Sequence, residues 1–286
     1  MSLRVLVTGV SGFMGKRMYA LLEREGVYVH GISRRRGDFG GRWTGLDITD
    51  LEGLSSFVKK EDFDVIIHLG ALTKRRYGDI PAERYFEVNV GGTENVLRAA
   101  GEVGAKVVFA STAGVYTSSK HPYIESKRAA EEVCERYGAI IARIFNVYGE
   151  GKEGGVIEAF IKRAFKNEPL LVNSGQVRDF IYVDDVCRAL WVLALRAGPG
   201  SYDVGTGVGR TIEEVAELVK ALTGSSSPIE VRPAEPSISI ADVGPLRALG
   251  FEPEVEFEEG LRRVIEYMRS RTGSGARPGS SSSPGS

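Results

Sequence analysis

The 286-residue chain has the composition of an ordinary globular protein, with 42% apolar and 26% charged residues. Its net charge of −1 gives no electrostatic reason to expect nucleic acid or a membrane surface as a partner. No apolar run reaches the length of a transmembrane helix and no signal peptide precedes the first strand, so we expect a cytoplasmic protein. Cys134 and Cys187 have no metal-ligand neighbours in the sequence. We therefore expect reduced, buried thiols and no metal site.

A glycine-rich turn follows the first predicted strand, residues 4–8, and precedes a helical pattern over residues 16–25. The spacing is G-x-x-G-x-x-G. Gly9 permits a tight turn, Gly12 lets the backbone approach a pyrophosphate at the helix N-terminus, and Gly15 allows close helix–strand packing. This context predicts dinucleotide binding. The turn residues assigned to the cofactor are Gly9, Ser11, Gly12, Phe13, Met14 and Gly15.

The second predicted strand ends in Ser33, which is followed by Arg34 and Arg35. An NAD enzyme usually places an acidic residue here for the ribose 2′-hydroxyl. No carboxylate is present to repel a 2′-phosphate, and guanidinium groups bind phosphate in bidentate fashion. The segment therefore favours NADP, with NAD as the alternative. A solvated basic loop without a ligand is the other interpretation.

Three further segments are predicted to reach the cofactor. Asp47 stands where a third strand is predicted to end and is followed by Ile48; its carboxylate can accept from an adenine amino group. A fourth strand, which contains His68 as an expected structural residue, runs into small residues suited to close approach. A continuous helix over residues 83–101 contains Asn89, a polar residue on an apolar face that needs a partner. The additional cofactor-binding residues are Asp47, Ile48, Leu69, Gly70, Ala71 and Asn89.

A buried strand over residues 107–110 leads to Ser111 and Thr112. Tyr123 and Lys127 come shortly afterwards, four residues apart on one face of a predicted helix. The ammonium group is predicted to stabilise the phenolate and to lower the pKa of the tyrosine towards neutrality. A hydroxyl at the strand end then holds a substrate oxygen against Tyr123. By itself, this motif does not exclude a surface tyrosine and lysine without a catalytic role.

Six successive β-α units predict an α/β fold with a doubly wound parallel sheet of the Rossmann type. The regularity ends at residue 149. We expect a dinucleotide-binding domain at 1–148 and a smaller C-terminal α/β lobe, mainly for substrate binding, at 149–272. Residues 179–206 are expected to return to the first domain. The Gly/Ser/Pro-rich residues 273–286 are expected to form a disordered tail.

Over residues 3–270 the chain resembles the extended short-chain dehydrogenase/reductase superfamily, in particular the nucleotide-sugar epimerases and dehydratases. The family's motifs occur in order. The matching segments are Thr8–Gly15, Asp47-Ile48, Asn89–Thr93, Ser111-Thr112 and Tyr123–Lys127, and two segments similar to UDP-glucose 4-epimerase, 143–149 and 178–186.

The resemblance implies roles for these residues. Tyr123 would be the acid/base, Lys127 would hold the nicotinamide ribose and tune Tyr123, and Thr112 would hydrogen-bond the sugar 4-oxygen. The implied substrate-binding residues are Ser111, Thr112, Asn146, Arg178 and Arg232. The expected chemistry is oxidation at sugar C4, followed by return of hydride to the opposite face of the transient 4-keto sugar. The partner would be a nucleotide sugar, and a homodimer through 83–101 and 123–137 is expected.

The sequence also departs from the family pattern. A 4,6-dehydratase would carry an acidic residue after Thr112, where Ala113 and Gly114 stand. The basic segment after Ser33 leaves two activities open, a 4-epimerase and an NADPH-dependent reductase of a 4-keto-6-deoxy nucleotide sugar. A non-catalytic NADP-binding sensor is a third hypothesis of another class. Residues 117–122 form a shorter segment than usual, so the sugar is not assigned.

Overall fold

A computed structural model of the chain describes residues 3–73 and 80–273. In chain order its strands are β1 (Arg4–Thr8), β2 (Tyr28–Ser33), β3 (Trp43–Gly45), β4 (Val65–His68), β5 (Lys106–Thr112), β6 (Ile140–Ile144), β7 (Asn146–Tyr148), β8 (Leu170–Asn173), β9 (Gln176–Tyr182), β10 (Gly200–Val204), β11 (Gly209–Thr211), β12 (Ile229–Arg232) and β13 (Ser237–Ser239). Its α-helices are α1 (Phe13–Arg24), α2 (Leu51–Glu61), α3 (Ala82–Phe86), α4 (Gly92–Gly101), α5 (Pro122–Arg136), α6 (Val156–Ala164), α7 (Val183–Arg196), α8 (Ile212–Thr223), α9 (Gly244–Ala248) and α10 (Phe257–Gly273).

The central sheet has seven parallel strands in the order β10-β6-β5-β4-β1-β2-β3. From β1 the chain builds outward through β2 and β3, and then builds in the opposite direction from β4. The predicted doubly wound α/β sheet is therefore confirmed. The reversal lies between β1 and β4, and in such sheets the crevice at the carboxyl ends of these strands is the usual place for a ligand.

Both faces of the central sheet are covered by helices. Strand alternation directs Val5 and Val7 towards α1 and α7, and Leu6 towards α2, α4 and α5. Because both faces are apolar and covered, polar side chains on these strands concentrate at the strand ends. Within residues 3–73 and 80–273, no helix combines the length and apolar content needed to cross a membrane.

A second set of strands lies beyond the central sheet. β7, β9, β11 and β13 form one small sheet, and β8 pairs with β12. A further apolar cluster joins these strands to α6, α8 and α10. β9 contributes to two cores, because Ile181 packs with the central sheet while Phe180 and Tyr182 pack in the smaller one. After β9 the chain returns through α7 to β10, which pairs with β6.

Two elements differ from the sequence predictions. The third strand ends at Gly45, so Asp47 follows it at a distance of two residues. The helix predicted over 83–101 is interrupted by a π-helical segment, Glu87–Gly91, between α3 and α4. This wider turn contains Asn89, whose carbonyl oxygen accepts from Thr93 Oγ1 at 2.6 Å. π-Helical turns often bring a side chain out of the regular helical position, and the side chain of Asn89 has such a role.

The close approach of α1 to the glycine turn makes a stability prediction. A Cβ atom on Gly15 would lie 2.3 Å from Gly9 O and 2.7 Å from Val10 Cα. We expect Gly15→Ala to lower the free energy of unfolding by about 2 kcal/mol, because the backbone of the turn must move. The matched control is Gly101→Ala in α4, where nothing lies within 4 Å and a gain of about 0.5–1 kcal/mol is expected. Denaturant unfolding measures both, and equal stability of the two variants would contradict the prediction.

Candidate active site

The three predicted catalytic residues lie where β5 meets α5. Thr112 is the last residue of β5, while Tyr123 and Lys127 are one turn apart on α5. The helix begins at Pro122, which suits the first helical position, and His121 Nδ1 accepts from Tyr123 N at 3.1 Å as its cap. Thr112 and Tyr123 lie close enough for Thr112 to lower the pKa of the phenol. The fold thus brings together two hydroxyl groups that are separated in the sequence.

The pKa of Tyr123 differs from the prediction. Burial raises the pKa of Tyr123 to about 12, although the nearby Thr112 acts in the opposite direction. Lys127 Nζ instead donates to Ala110 O at 2.7 Å and lies 4.2 Å from the centre of the Phe109 ring. The prediction that Lys127 lowers the pKa of Tyr123 towards neutrality is therefore wrong. At neutral pH Tyr123 carries its proton.

Lys127 itself is buried against β5. Burial lowers the pKa of Lys127 to about 8, while Cys134 and Glu131 raise it. A buried ammonium group needs polar partners, and the Ala110 carbonyl supplies one at the end of the strand. At neutral pH the lysine remains mostly charged, so a positive charge lies on the same helix face as Tyr123.

A polar network that starts from the buried side chains of Ser111 and Glu131 supports this region. Ser111 Oγ donates to Glu131, whose Oε2 accepts from Arg143 Nη2 at 2.7 Å. Arg143 Nη1 donates to Tyr116 OH at 2.9 Å, and Tyr116 OH donates to Asp203 Oδ1 at 2.7 Å. The carboxylate of Glu131 raises the pKa of Arg143. Sequence reasoning missed Glu131, although its position four residues after Lys127 on the same helix face was a usable signal.

Ser111 does not occupy the substrate position that was predicted for it. It is 5% exposed, and its hydroxyl is bound to Glu131 on the side of α5. Successive residues of a strand point to opposite faces, so Ser111 and Thr112 diverge. The structure therefore places Ser111 in the support of the site.

Asn89 is likewise a supporting residue. Its Oδ1 accepts from Leu72 N at 2.8 Å, and its Nδ2 donates to Leu72 O at 3.1 Å and to Ser126 Oγ at 3.0 Å. The side chain is 1% exposed, and all of its amide atoms bind protein atoms. These bonds tie the segment after β4 to α5, and the contact of Asn89 with a cofactor stays a prediction.

The glycine turn fits the pyrophosphate of a dinucleotide. Gly9 has a φ of +68°, and a Cβ there would lie 2.9 Å from Gly70 Cα, so the turn touches the segment after β4. Gly12 begins α1 with extended backbone and no side-chain cap, and the first turn of α1 has no acidic residue. The free N–H groups of this turn favour an anion. The predicted residues grouped around the turn are Ser11, Phe13, Met14, Gly15, Leu69 and Ala71.

The expected adenosine side of the site lies at the ends of β2 and β3. Arg34 Nε is 4.0 Å from Asp47 Oδ2, and Asp47 Oδ1 accepts from Thr49 Oγ1 at 3.0 Å. Ser33 Oγ donates to Arg35 O at 2.8 Å. The structure therefore brings Arg34 and Asp47 together. Ile48, 8% exposed, packs beneath this edge.

The predicted substrate residues are divided between two sheets. On β7, Asn146 Nδ2 donates to Asp179 O at 2.9 Å. On β9, Arg178 Nη1 donates to Ser237 O at 2.6 Å, and burial lowers the pKa of Arg178. No carboxylate of the described residues forms an ion pair with Arg178, so its charge suits a phosphate. Arg232 is exposed at the end of β12 in the two-stranded sheet.

Asp179 was missed by sequence reasoning. Its side chain is fully buried and accepts from Thr206 Oγ1 at 2.6 Å, Gly207 N at 2.8 Å and Ala241 N at 3.2 Å. These bonds tie β9 to the turn after β10 and to the chain before α9. Only its place next to Arg178 could have pointed to it. Its role is to fix the strand that carries Arg178.

His68 is a structural residue, as expected. Its Nδ1 lies 2.7 Å from Thr8 Oγ1 and its Nε2 lies 3.0 Å from Thr93 Oγ1. Burial lowers the pKa of His68 to about 3, so the ring is neutral at physiological pH. The described residues contain no cluster of His, Cys, Asp and Glu side chains that could hold a metal ion.

The buried His68 predicts a loss of stability in acid. Its folded-state pKa lies below the unfolded value, so the unfolded chain binds the proton first as pH falls below about 6.5. Between about pH 7.5 and 5.5 this one residue should cost about 1 kcal/mol of unfolding free energy. Urea unfolding at both pH values measures the loss, and His68→Gln should reduce it. An unchanged pH dependence in that variant would contradict the prediction.

Residues 5–205 match the sequence model of the NAD dependent epimerase/dehydratase family. The chain belongs to this family, and it is an enzyme of the NAD-dependent epimerase and oxidoreductase type. The family membership predicted from the motifs is confirmed.

Relatives with several activities are similar to the chain. A UDP-glucuronate 4-epimerase from Thermodesulfobacterium geofontis is 26% identical, over 92% of this chain and 95% of the relative. UDP-glucuronic acid decarboxylase 1 from Danio rerio is 30% identical, over 93% of this chain and 72% of the relative. The structure of UDP-glucose 4-epimerase from Thermotoga maritima, determined with UDP-glucose, has a TM-score of 0.84 at 26% identity and covers 94% of this chain and 100% of its own. The structure of the Thermus thermophilus UDP-glucose 4-epimerase in complex with NAD has a TM-score of 0.79 at 30% identity. It covers 93% of this chain and 99% of its own. These likenesses support an NAD-dependent modification of nucleotide sugars.

Proposed function

We propose that the protein is an NAD(P)-dependent nucleoside-diphosphate-sugar 4-epimerase that acts through a transient 4-keto sugar. The placement of Thr112 at the carboxyl end of β5, beside the helix α5 that carries Tyr123 and Lys127, is the observation that carries the proposal. Two hydroxyl groups at one strand–helix junction can share one sugar oxygen, one as a hydrogen-bond donor and the other as the acid/base. The named 4-epimerases among the relatives and structural neighbours support the same reaction.

In this proposal the chain's own residues bind the sugar and move a proton. Tyr123 first gives up its own proton to solvent, and its phenolate then removes the proton from the 4-hydroxyl and returns it after the sugar has turned, while Thr112 holds the 4-oxygen. Lys127, whose Nζ donates to Ala110 O at the end of β5, would hold the nicotinamide ribose. The nicotinamide supplies the hydride acceptor and donor for C4. Asn146 and Arg178 would bind the diphosphate, because a guanidinium that has only carbonyl partners retains its charge for an anion.

The turn after Thr112 argues against a dehydratase. Such an enzyme would carry an acidic residue at position 113 or 114, by the family resemblance. Ala113 is buried, and a Cβ on Gly114 would lie 2.4 Å from Ile124 Cδ1. Ile124 would have to move before any side chain could stand there. The tight packing therefore favours a reaction that needs acid/base catalysis only at the 4-oxygen.

The proposal is tested with UDP-glucose, UDP-N-acetylglucosamine, UDP-glucuronate and their C4 epimers, with NAD or NADP added and products separated by chromatography. Tyr123→Phe should lower kcat at least about 10³-fold, because the proton carrier is removed, and leave the cofactor Kd within about twofold. Tyr137→Phe is the control, an exposed tyrosine at the end of the same helix. Retained turnover in Tyr123→Phe would contradict the role of Tyr123.

The 4-ketoreductase remains the second candidate, and the end of β2 favours it. Ser33 provides no carboxylate, and Arg34 and Arg35 are exposed. A reductase that uses free NADPH needs such a segment more than an epimerase with a permanently bound cofactor does. Oxidation of NADPH by a 4-keto-6-deoxy nucleotide sugar, without interconversion of any C4 pair, would decide for the reductase.

For the cofactor we propose a preference for NADP over NAD, because the exposed Arg34 and Arg35 can bind a 2′-phosphate. The double variant Arg34→Ala/Arg35→Ala should raise the Kd for NADPH at least about tenfold and change the Kd for NADH less than about twofold. Nicotinamide fluorescence titration measures both. Arg36→Ala is the control, since its Nε donates to Phe39 O at 3.0 Å. An equal loss in this control, or tighter binding of NADH by the wild type, would contradict the preference.

A further inference from the structure

A series of local hydrogen bonds runs along the connection between the two catalytic hydroxyls. Gly114 N donates to Thr112 Oγ1 at 3.2 Å, and Thr117 Oγ1 donates to Gly114 O at 2.8 Å. Ser119 N then donates to Thr117 Oγ1 at 3.3 Å. In each step a small polar side chain forms a turn with the backbone a few residues away.

The series continues to the catalytic helix. His121 N donates to Ser119 Oγ at 3.3 Å, and Tyr123 N donates to His121 Nδ1 at 3.1 Å. The side chains of Thr112, Thr117, Ser119 and His121 thus each accept from the N–H two residues further along the chain. Residues 113–122, which we call the connecting segment, are ordered by their own side chains from Thr112 to Tyr123.

Arg128 binds the connecting segment from the helix. Its Nε donates to Val115 O at 3.1 Å, its Nη1 to Ser119 O at 3.0 Å, and its Nη2 to Thr117 O. The three acceptors alternate along the backbone, and the planar guanidinium reaches all of them at once. A lysine ammonium cannot do so, because its donors diverge from a single point.

Arg128 is one turn beyond Tyr123 on α5 and next to Lys127. Among the described residues, no carboxylate lies within ion-pair distance of it, although Glu132 follows four residues later. The guanidinium is therefore engaged with backbone carbonyls of the connecting segment, which fixes that segment to the helix that carries Tyr123.

We propose that Arg128 is a positioning residue that sets the distance between Thr112 and Tyr123. This role rests on the proposed function, since it concerns Tyr123 as acid/base. The weak turns of the connecting segment exchange with water when unsupported, and the three bonds from Arg128 hold them in one arrangement. Proton transfer requires the two hydroxyls to stay within hydrogen-bond distance of the same oxygen, and a displacement of about 1 Å costs on the order of 10²-fold in rate.

The test compares Arg128→Ala and Arg128→Lys with the wild-type enzyme in the presence of its cofactor. We expect kcat to fall on the order of 10²-fold in the alanine variant and about tenfold in the lysine variant, with KM changed less than about threefold. The control is Arg136→Ala, an exposed arginine on the same helix, which should keep the wild-type kcat. Free methylguanidinium should restore part of the lost kcat in Arg128→Ala.

A second measurement is independent of the substrate. Hydrogen exchange of the backbone amides at 113–121 should accelerate at least about tenfold in Arg128→Ala, while amides at 126–134 keep wild-type rates. If the wild-type enzyme is inactive on every nucleotide sugar, the proposed function is wrong. If exchange at 113–121 is equally slow in the wild type and in Arg128→Ala, Arg128 does not restrain the connecting segment. If the alanine variant does not fold, the lysine variant decides. A kcat within about twofold of wild type, or a loss confined to KM, would overturn the proposal.

Discussion

β4, β5 and β6 run parallel and in register, so that His68 lies beside Phe109 and Thr112 lies beside Ile144. Their carboxyl ends form one edge of the sheet, and the segments that follow them meet there. The glycine turn after β1 touches the segment after β4, and the turn after β5 packs against the start of α5. Thr112 and the start of α5 are held at this edge, which is where the proposed function requires the dinucleotide and the sugar to meet.

Buried charge is the main energetic cost of this arrangement. Lys127, Glu131 and Asp179 are all nearly or fully buried. Each is satisfied locally: Lys127 by a carbonyl at the end of β5, Glu131 by Arg143 and Ser111, and Asp179 by the turn after β10 and the chain before α9. Removing one partner of such a group leaves an uncompensated polar atom, which costs more than an exposed pair would. The same bonds fix the strands and helices that carry Thr112, Tyr123 and Arg178.

The small sheet of β7, β9, β11 and β13 is joined to the central sheet through β9. One face of this strand packs with the central core and the other with the smaller core, as Ile181 and Phe180 show. Arg178 and Asn146 therefore lie on strands whose position depends on both cores. The proposed substrate contacts of Arg178 and Asn146 would thereby be held in a fixed position relative to Thr112 and Tyr123. This explains why a chain region that breaks the regular β-α alternation is nevertheless fixed relative to the catalytic edge.

The sequence by itself determined the doubly wound sheet and the glycine turn, and it predicted the candidate trio Thr112, Tyr123 and Lys127, because these depend on local periodicity and on spacings of a few residues. Gly15 could be read from the sequence, since helix–strand packing demands its missing side chain. The partners of Ser111 and Asn89 could not be read from the sequence. Strand alternation directs the Ser111 side chain to Glu131, and a π-helical turn directs the Asn89 side chain to Leu72. The pKa of Tyr123 depends on burial, which sequence spacing does not report. Tertiary structure alone decided that Arg128 binds the segment joining Thr112 to Tyr123, since backbone carbonyls leave no trace in a sequence.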